Sequence, residues 1–271
     1  MRNRVPPDRI TTEEREVPPA EKKGLLRVFE LIDRDGGKFF KAGILAFLGL
    51  VPFIACMMAA VTLPNPLLLI LCIPAGMIAA PQIVCVADTV MRSMRNETGW
   101  WFAQTYKKVW KRSLRPSLLP GAVTGLIAGI QIWSVYYIAG SAEPKGDLIL
   151  LCSATILALA VTGYYLPMMC CMELSNPALL RNSLTLFLFH PLKSLFSALI
   201  RFAYAALILI WFPLTGILLA VFSLWLPMVC TYPVLYPVLD EQFGLQKAYD
   251  ELKKEKWGAA VKADDDVAQD G

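Results

Sequence analysis

The chain holds one histidine, His190, in 271 residues, and its seven cysteines make no CxxC pair. Metal centres need clustered imidazoles, thiolates or carboxylates, so no metal site is expected. Charge is scarce too: 18% of residues are Asp, Glu, Lys or Arg, and the apolar stretches contain no paired carboxylates. That removes the usual material for general acid/base work. Walker, Rossmann, HExxH and nucleophile-elbow spacings are absent, and with them the phosphate cradles and activated nucleophiles that those motifs build. No cofactor is expected, and the sequence points away from an enzyme.

What is present is apolar: 56% of residues are hydrophobic and the mean hydropathy is +0.51, more than a water-soluble domain carries. Runs near the ~20 residues that cross ~30 Å of hydrocarbon fall at 42–62, 67–87, 118–139 and 148–171. A longer run from Ser194 to Leu239 carries only Arg201 as a charge. It must fold back, near Trp211, Phe212 and Pro213, into spans at 194–212 and 214–238. Segments such as LLLILCIPAGMIAA lack the period-two alternation of a barrel strand. The expected fold class is therefore an all-α membrane protein. A six-helix transmembrane domain over 24–240 lies between a polar tail at 1–23 and an amphipathic, then acidic and disordered, tail at 241–271.

Of the 26 Lys and Arg residues, all but Lys145 fall in 1–41, 88–118, 173–201 or beyond 240. Basic residues stay on the cytoplasmic side, so both termini are expected in the cytoplasm of a bacterial cytoplasmic membrane. The loops LPNP (63–66) and GSAEPKGD (140–147) are then the translocated ones. The first apolar run reads as a retained anchor, because it is too long for a signal peptide and lacks a small-residue cleavage site.

The first helices of three hairpins begin near 42, 118 and 194, and their return helices end in PQIVCVAD (81–88), PMMCCMEL (167–174) and PVLYPVLD (233–240). That recurrence suggests a pseudo-threefold repeat. Each hairpin follows an amphipathic stretch expected on the cytoplasmic face: GLLRVFELID (24–33), WWFAQTYKKVWKRSLR (100–115) and PALLRNSLTLFLFHPLK (177–193). In the second, Trp100 and Trp101 lead into a stripe of Phe102, Tyr106, Trp110 and Leu114, flanked by Lys107, Lys108, Lys111, Arg112 and Arg115. Such a helix is expected to lie in the interface, with aromatics at the acyl boundary of the lipid bilayer. Its cations would meet anionic headgroups, at roughly 1 kcal/mol each. A nucleic-acid reading of the same mix is set aside because two membrane spans flank it. In the third stretch, Asn176 and Pro177 read as N-cap and first helical residue. His190 ends that helix as an interfacial residue, or else as a pH sensor or ligand.

Gly121, Gly125 and Gly129 form a doubled GxxxG groove. Its partner is another helix of this chain, a second copy or a different protein, the first being favoured. Trp133, Tyr136 and Tyr137 mark the outer interface. Polar groups expected at mid-membrane depth are chiefly Gln82 and Gln131, with Asn65, Thr155 and Thr162. Asp88, Glu173, Asp240 and Arg201 are placed at the inner helix ends, either as a ring holding a cation or as plain helix-end residues. The cysteines read as reduced packers, with Cys170 and Cys171 as an alternative thiol or palmitoylation site.

The segments DTVMRSMRNETGWWFAQTYKKVWKRSLRPSLLPG (88–121) and YYLPMMCCMELSNPALLRNSLTLFLFHPL (164–192) resemble the YesL family of bacterial integral membrane proteins, over about residues 30–240. The resemblance implies a small helical membrane protein of uncharacterised activity, encoded in many bacteria beside sugar ABC transporter or glycan-use genes. It transfers no catalytic residue. The polar N-terminal extension and the acidic tail depart from it. The expectation that follows is a non-enzymatic accessory or scaffold protein serving carbohydrate transport, with ABC transporter permease subunits as partners. The alternatives are a small transporter or channel with a path between the hairpins, and an intramembrane lipid enzyme using His190, Glu173 and Asp240.

Overall fold

The computed structural model describes residues 25–63, 65–97, 100–139, 145–172, 174–211, 221–222 and 224–251. The polar tail at 1–23, Glu173, the stretch 212–220 and the acidic end of the chain lie outside them. Among the described residues the chain is all helical: α1 Leu25–Thr62, α2 Cys72–Met94, α3 Phe102–Ala139, α4 Lys145–Cys171, α5 Asn176–Phe189, α6 Pro191–Ile210 and α7 Trp225–Phe243. A 3-10 turn over Pro66–Leu71 leads into α2. Asn65 belongs to that turn, its side chain accepting from the Leu67 N–H at 3.0 Å, and so is a cap. Five helices, all but α5 and α7, are long and apolar enough to cross a membrane once the 3-10 turn is counted with α2. The protein is a multi-pass membrane protein.

The return helices α2, α4 and α7 touch one another pairwise. Around them, α1 lies against α2 and α7, α3 against α2 and α4, and α6 against α4 and α7. Most of the core sits at the end rich in arginine and lysine, here called the basic pole, where Leu31, Phe39, Met91, Tyr164, Leu179 and Leu235 are fully enclosed. At the opposite pole only a small cluster of Met57, Ala60, Leu69 and Cys72 closes. The exposed leucines and isoleucines on the outer faces are what a lipid-facing surface requires.

Two of the three amphipathic stretches are not separate helices. α1 and α3 each run for 38 residues through stretch and span alike, about 57 Å at the α-helical rise. Pro116 and Pro120 lie inside α3 without stopping it. Pro120 has no N–H, so the Pro116 carbonyl loses its helical donor. The Asn176 side-chain amide replaces it at 3.0 Å. This also corrects the expected cap: Ser175 precedes α5 with φ −68° and ψ 151°, and Asn176 is the first helical residue, its amide spent on α3. Only the third stretch is separate. It breaks at His190 (φ −128°, ψ 56°), because Pro191 disfavours helical geometry in the residue before it.

Candidate functional site

The densest polar construction joins the first half of α1 to the end of α2 and the turn after it. Asp35 is buried, 4% exposed, and accepts from Ser93 Oγ at 2.6 Å, Lys38 Nζ at 2.8 Å and Arg34 Nε at 2.9 Å. Arg34 also donates to Asn96 Oδ1 at 2.6 Å, to the Ser93 hydroxyl at 2.9 Å and to the Ser93 carbonyl. Arg27, itself buried, reaches Glu30 at 3.0 Å, the Met94 carbonyl at 3.2 Å and Asn96 Oδ1 at 3.1 Å. The Ser93 and Met94 carbonyls end α2, where the helix dipole is negative; the Ser93 carbonyl takes the Asn96 N–H at 3.1 Å, and the Met94 carbonyl has no backbone donor among the described residues. Two α1 guanidiniums therefore cap α2 from across the interface. Asn96, at φ 54°, turns the chain there and holds both with one oxygen.

Ion pairs of Arg92 and Arg95 hold the turn in place. Arg92 bridges Asp88 at 2.6 Å and Glu97 at 2.5 Å, while Arg95 pairs with Glu97 at 2.7 Å and donates to Cys171 Sγ at 3.3 Å. Trp100 lies beneath Lys38 Nζ, 4.4 Å from the ring centroid, and donates its indole N–H to the Glu97 carbonyl at 3.2 Å. Tyr249 sits 5.5 Å from the Arg95 guanidinium. Burial pushes its phenol pKa up, and Glu97 adds to the effect. Partners such as Arg27 and Asn96 are 69 residues apart, so no local pattern announces them. The signal in the sequence was two charged, apolar-poor clusters, RDGGK and RSMRNE, beside otherwise apolar helices.

Beside this network a cleft of about 290 Å³ opens between α2, α3, α4 and α5, lined among others by Asp88, Arg112, Ser113, Cys170 and Asn176. Arg112 donates to the Cys170 carbonyl at 3.2 Å. Lys107, Lys108, Lys111, Arg112 and Arg115 are exposed on α3. The aromatic stripe, however, does not face lipid as expected. Phe102 and Tyr106 pack against the core, and Tyr106 Oη donates to Gln82 Oε1 at 2.5 Å. The reason is that α3 is continuous and runs beside α2, so its apolar face is used by the protein. Trp110 and Leu114 are half-buried, and Trp101 is exposed.

The other predicted residues fall apart from one another. Gln82 is held by Tyr106 near the basic pole. Gln131 lies two residues beyond Gly129, which packs on Cys72 toward the opposite pole, so the two glutamines sit at different depths. Asp88 is paired with Arg92, and Asp240 accepts from the Gln246 N–H at 2.7 Å. Arg201 sits near the middle of α6 and donates to the Ser197 carbonyl and hydroxyl at 3.2 and 3.0 Å. No hydrogen bond or ion pair joins these three among the described residues. Glu173, the fourth member, lies outside them. Arg201 is misplaced by the sequence reading because the α6 start at Pro191 puts it about 15 Å along the helix. His190 is a helix junction whose carbonyl accepts from Ser194. Gly121 and Gly125 lie against Gly76 and Cys72 of α2 at backbone contact, and Gly129 against the Cys72 side chain.

Among the described residues no group of three His, Cys, Asp or Glu could hold a metal. Comparison with protein families, curated proteins and solved structures gives no match for this chain.

Proposed function

We propose that this chain is a non-enzymatic accessory protein of a bacterial cytoplasmic membrane, whose basic pole is a rigid cytoplasmic platform for a partner. In this reading both termini are cytoplasmic, and residues 214–238 supply a sixth crossing to complete three hairpins. The observation that carries it is the network of Arg27, Arg34, Asp35, Ser93 and Asn96, which fastens α1 to α2. Such a network orders a surface without supplying any group to a reaction. Beside it, Lys107, Lys108, Lys111 and Arg115 form an exposed basic row on α3, suited to an acidic partner face or anionic headgroups. The resemblance to YesL proteins makes permease subunits of a carbohydrate ABC uptake system the partner to test. Tagged protein would be crosslinked in native membranes, purified in mild detergent and its companions identified by mass spectrometry. A permease should be enriched with the parent chain and lost from a Lys107→Glu, Lys108→Glu, Lys111→Glu variant of unchanged thermal stability. Equal recovery with both chains, or with neither, removes the proposal.

A small transporter is the second reading, and the observation favouring it is Arg201, a charge near the middle of an apolar helix. Flux of a labelled solute into liposomes carrying the purified chain, abolished by Arg201→Gln, would support it over the platform.

A further inference from the structure

Arg201 is the one charge on the apolar stretch of α6 beyond Lys193, and its surroundings are built around it. Across from it on α4, Gly163 carries no side chain where the guanidinium packs. A Cβ at that position would strike Nη2 and lie 3.3 Å from the central carbon. Pro167, four residues on, has no N–H, so the Gly163 carbonyl also lacks its helical donor. Ser197 takes Nε and one Nη2 donor through its carbonyl and hydroxyl. A guanidinium has five N–H donors, so three remain. Tyr164 and Tyr232 face the guanidinium electrostatically from α4 and α7. Tyr164, fully buried, shares a hydrogen bond with Ser194 Oγ at 3.3 Å. Tyr232 is 2% exposed, and its hydroxyl has no hydrogen-bond partner among the described residues.

Charges at this depth are costly unless paired, and a buried hydroxyl without a partner is costly too. Neither has its complement among the described residues. Between Leu148 and Cys171 of α4, and between Trp225 and Leu239 of α7, there is no acidic residue. No ion pair reaches Arg201 among the described residues. Arg201 is only half-buried, so its free donors can be approached from outside. Two unmet demands, for a negative charge and for a hydrogen-bond partner, thus arise on α6 and α7, which pack against each other and against α4.

We propose that Arg201 and Tyr232, with Gly163 leaving the room, form a binding site for the oxyanion group of a carboxylate or phosphate, between α4, α6 and α7. The planar fork of arginine matches the two oxygens of such a group, and the Tyr232 hydroxyl adds a third donor. The group belongs either to a free solute or to a membrane lipid. This site does not depend on the accessory role.

The test uses the full chain in an uncharged detergent. Thermal unfolding is followed as inorganic phosphate or acetate is raised at constant ionic strength, and native mass spectrometry records lipid retained by protein extracted from native membranes. For a free solute, Tm rises saturably. The apparent affinity falls about tenfold or more in Arg201→Gln and severalfold in Tyr232→Phe, in line with charged and neutral hydrogen bonds. For a lipid source, phosphate and acetate leave Tm unmoved, while one anionic lipid per chain stays with the parent and is lost from Arg201→Gln. If Arg201→Gln does not fold, Tyr232→Phe decides, since it removes one oxygen and keeps the ring. The proposal is overturned if parent and variants bind oxyanions equally weakly and retain the same lipids.

Discussion

Replacing Gly125 by alanine is the most direct test of how α2 and α3 are held together. A Cβ on Gly125 would stand 2.8 Å from the Gly76 Cα and closer still to the Cys72 carbonyl, where ordinary contact begins at 3.4 Å. Both obstacles are backbone, so no side-chain rotation relieves them and the closer one requires the helices to part by about 1 Å. A gap of that size forfeits a quarter or more of each contact along the seam, and overpacking of this kind costs about 1–3 kcal/mol. Gly37 provides the internal reference. It is exposed on α1, nothing lies within 4 Å of its Cβ position, and alanine there should stabilise the helix by roughly 0.5–1 kcal/mol. The same chemical change thus has opposite signs at two sites. Equilibrium unfolding of the purified chain by SDS added to a mild detergent, read by tryptophan fluorescence, measures both. A Gly125→Ala variant as stable as Gly37→Ala would refute the reasoning, because the close approach of the two backbones would then carry no cost.

The polar joints give two more outcomes. Asp35→Ala removes the acceptor of three donors. Arg34 and Lys38 are each about one-third exposed and can turn to water, so the loss should be about 1–3 kcal/mol, most of it from the buried Ser93 hydroxyl. Hydrogen exchange of the first turns of α1 should rise with it, and unchanged protection there would count against the network as a fastener. Asn176→Leu leaves the Pro116 carbonyl with no donor and should cost about 1–3 kcal/mol in the same unfolding assay. A Pro120→Ala background, which restores the helical N–H, should recover much of that loss, and its failure to do so would show that the amide serves another purpose.

Where apolar composition decides, the sequence was informative. The runs at 42–62, 67–87, 118–139 and 148–171, and that from 194 as far as Ile210, lie on helices long and apolar enough to cross a membrane, because hydrocarbon thickness imposes length directly. The glycine spacing on α3 announced a close contact, and GxxxG cannot by itself name the partner that Gly76 and Cys72 supply. The readings went astray where tertiary partners overrule local signals. The stretch 100–115 and the span 118–139 read as separate, yet α3 runs through both, with Asn176 satisfying the Pro116 carbonyl. The Phe102 and Tyr106 stripe looked like a membrane-surface helix until α2 was seen to occupy that face. The Arg27, Arg34 and Asp35 cluster joins residues far apart in the chain, and a periodicity argument sees only neighbours. Arg201 was visible as a solitary charge, yet its depth depends on where α6 starts.

The unequal continuity of the three units has a mechanical consequence. α1 and α3 are unbroken rods of about 57 Å, so a tilt of about 5° at one end swings the other by about 5 Å. α1 is clamped near its start by Asp35 and Asn96 contacts, which makes that clamp a fulcrum: a load applied at the basic pole travels the length of the bundle and emerges near Thr62. α3 carries the same motion through its glycine seam with α2. The third unit lacks such a rod: α5 and α6 meet at the non-helical His190 (φ −128°, ψ 56°), so no single helix links α5 to the far end of α6.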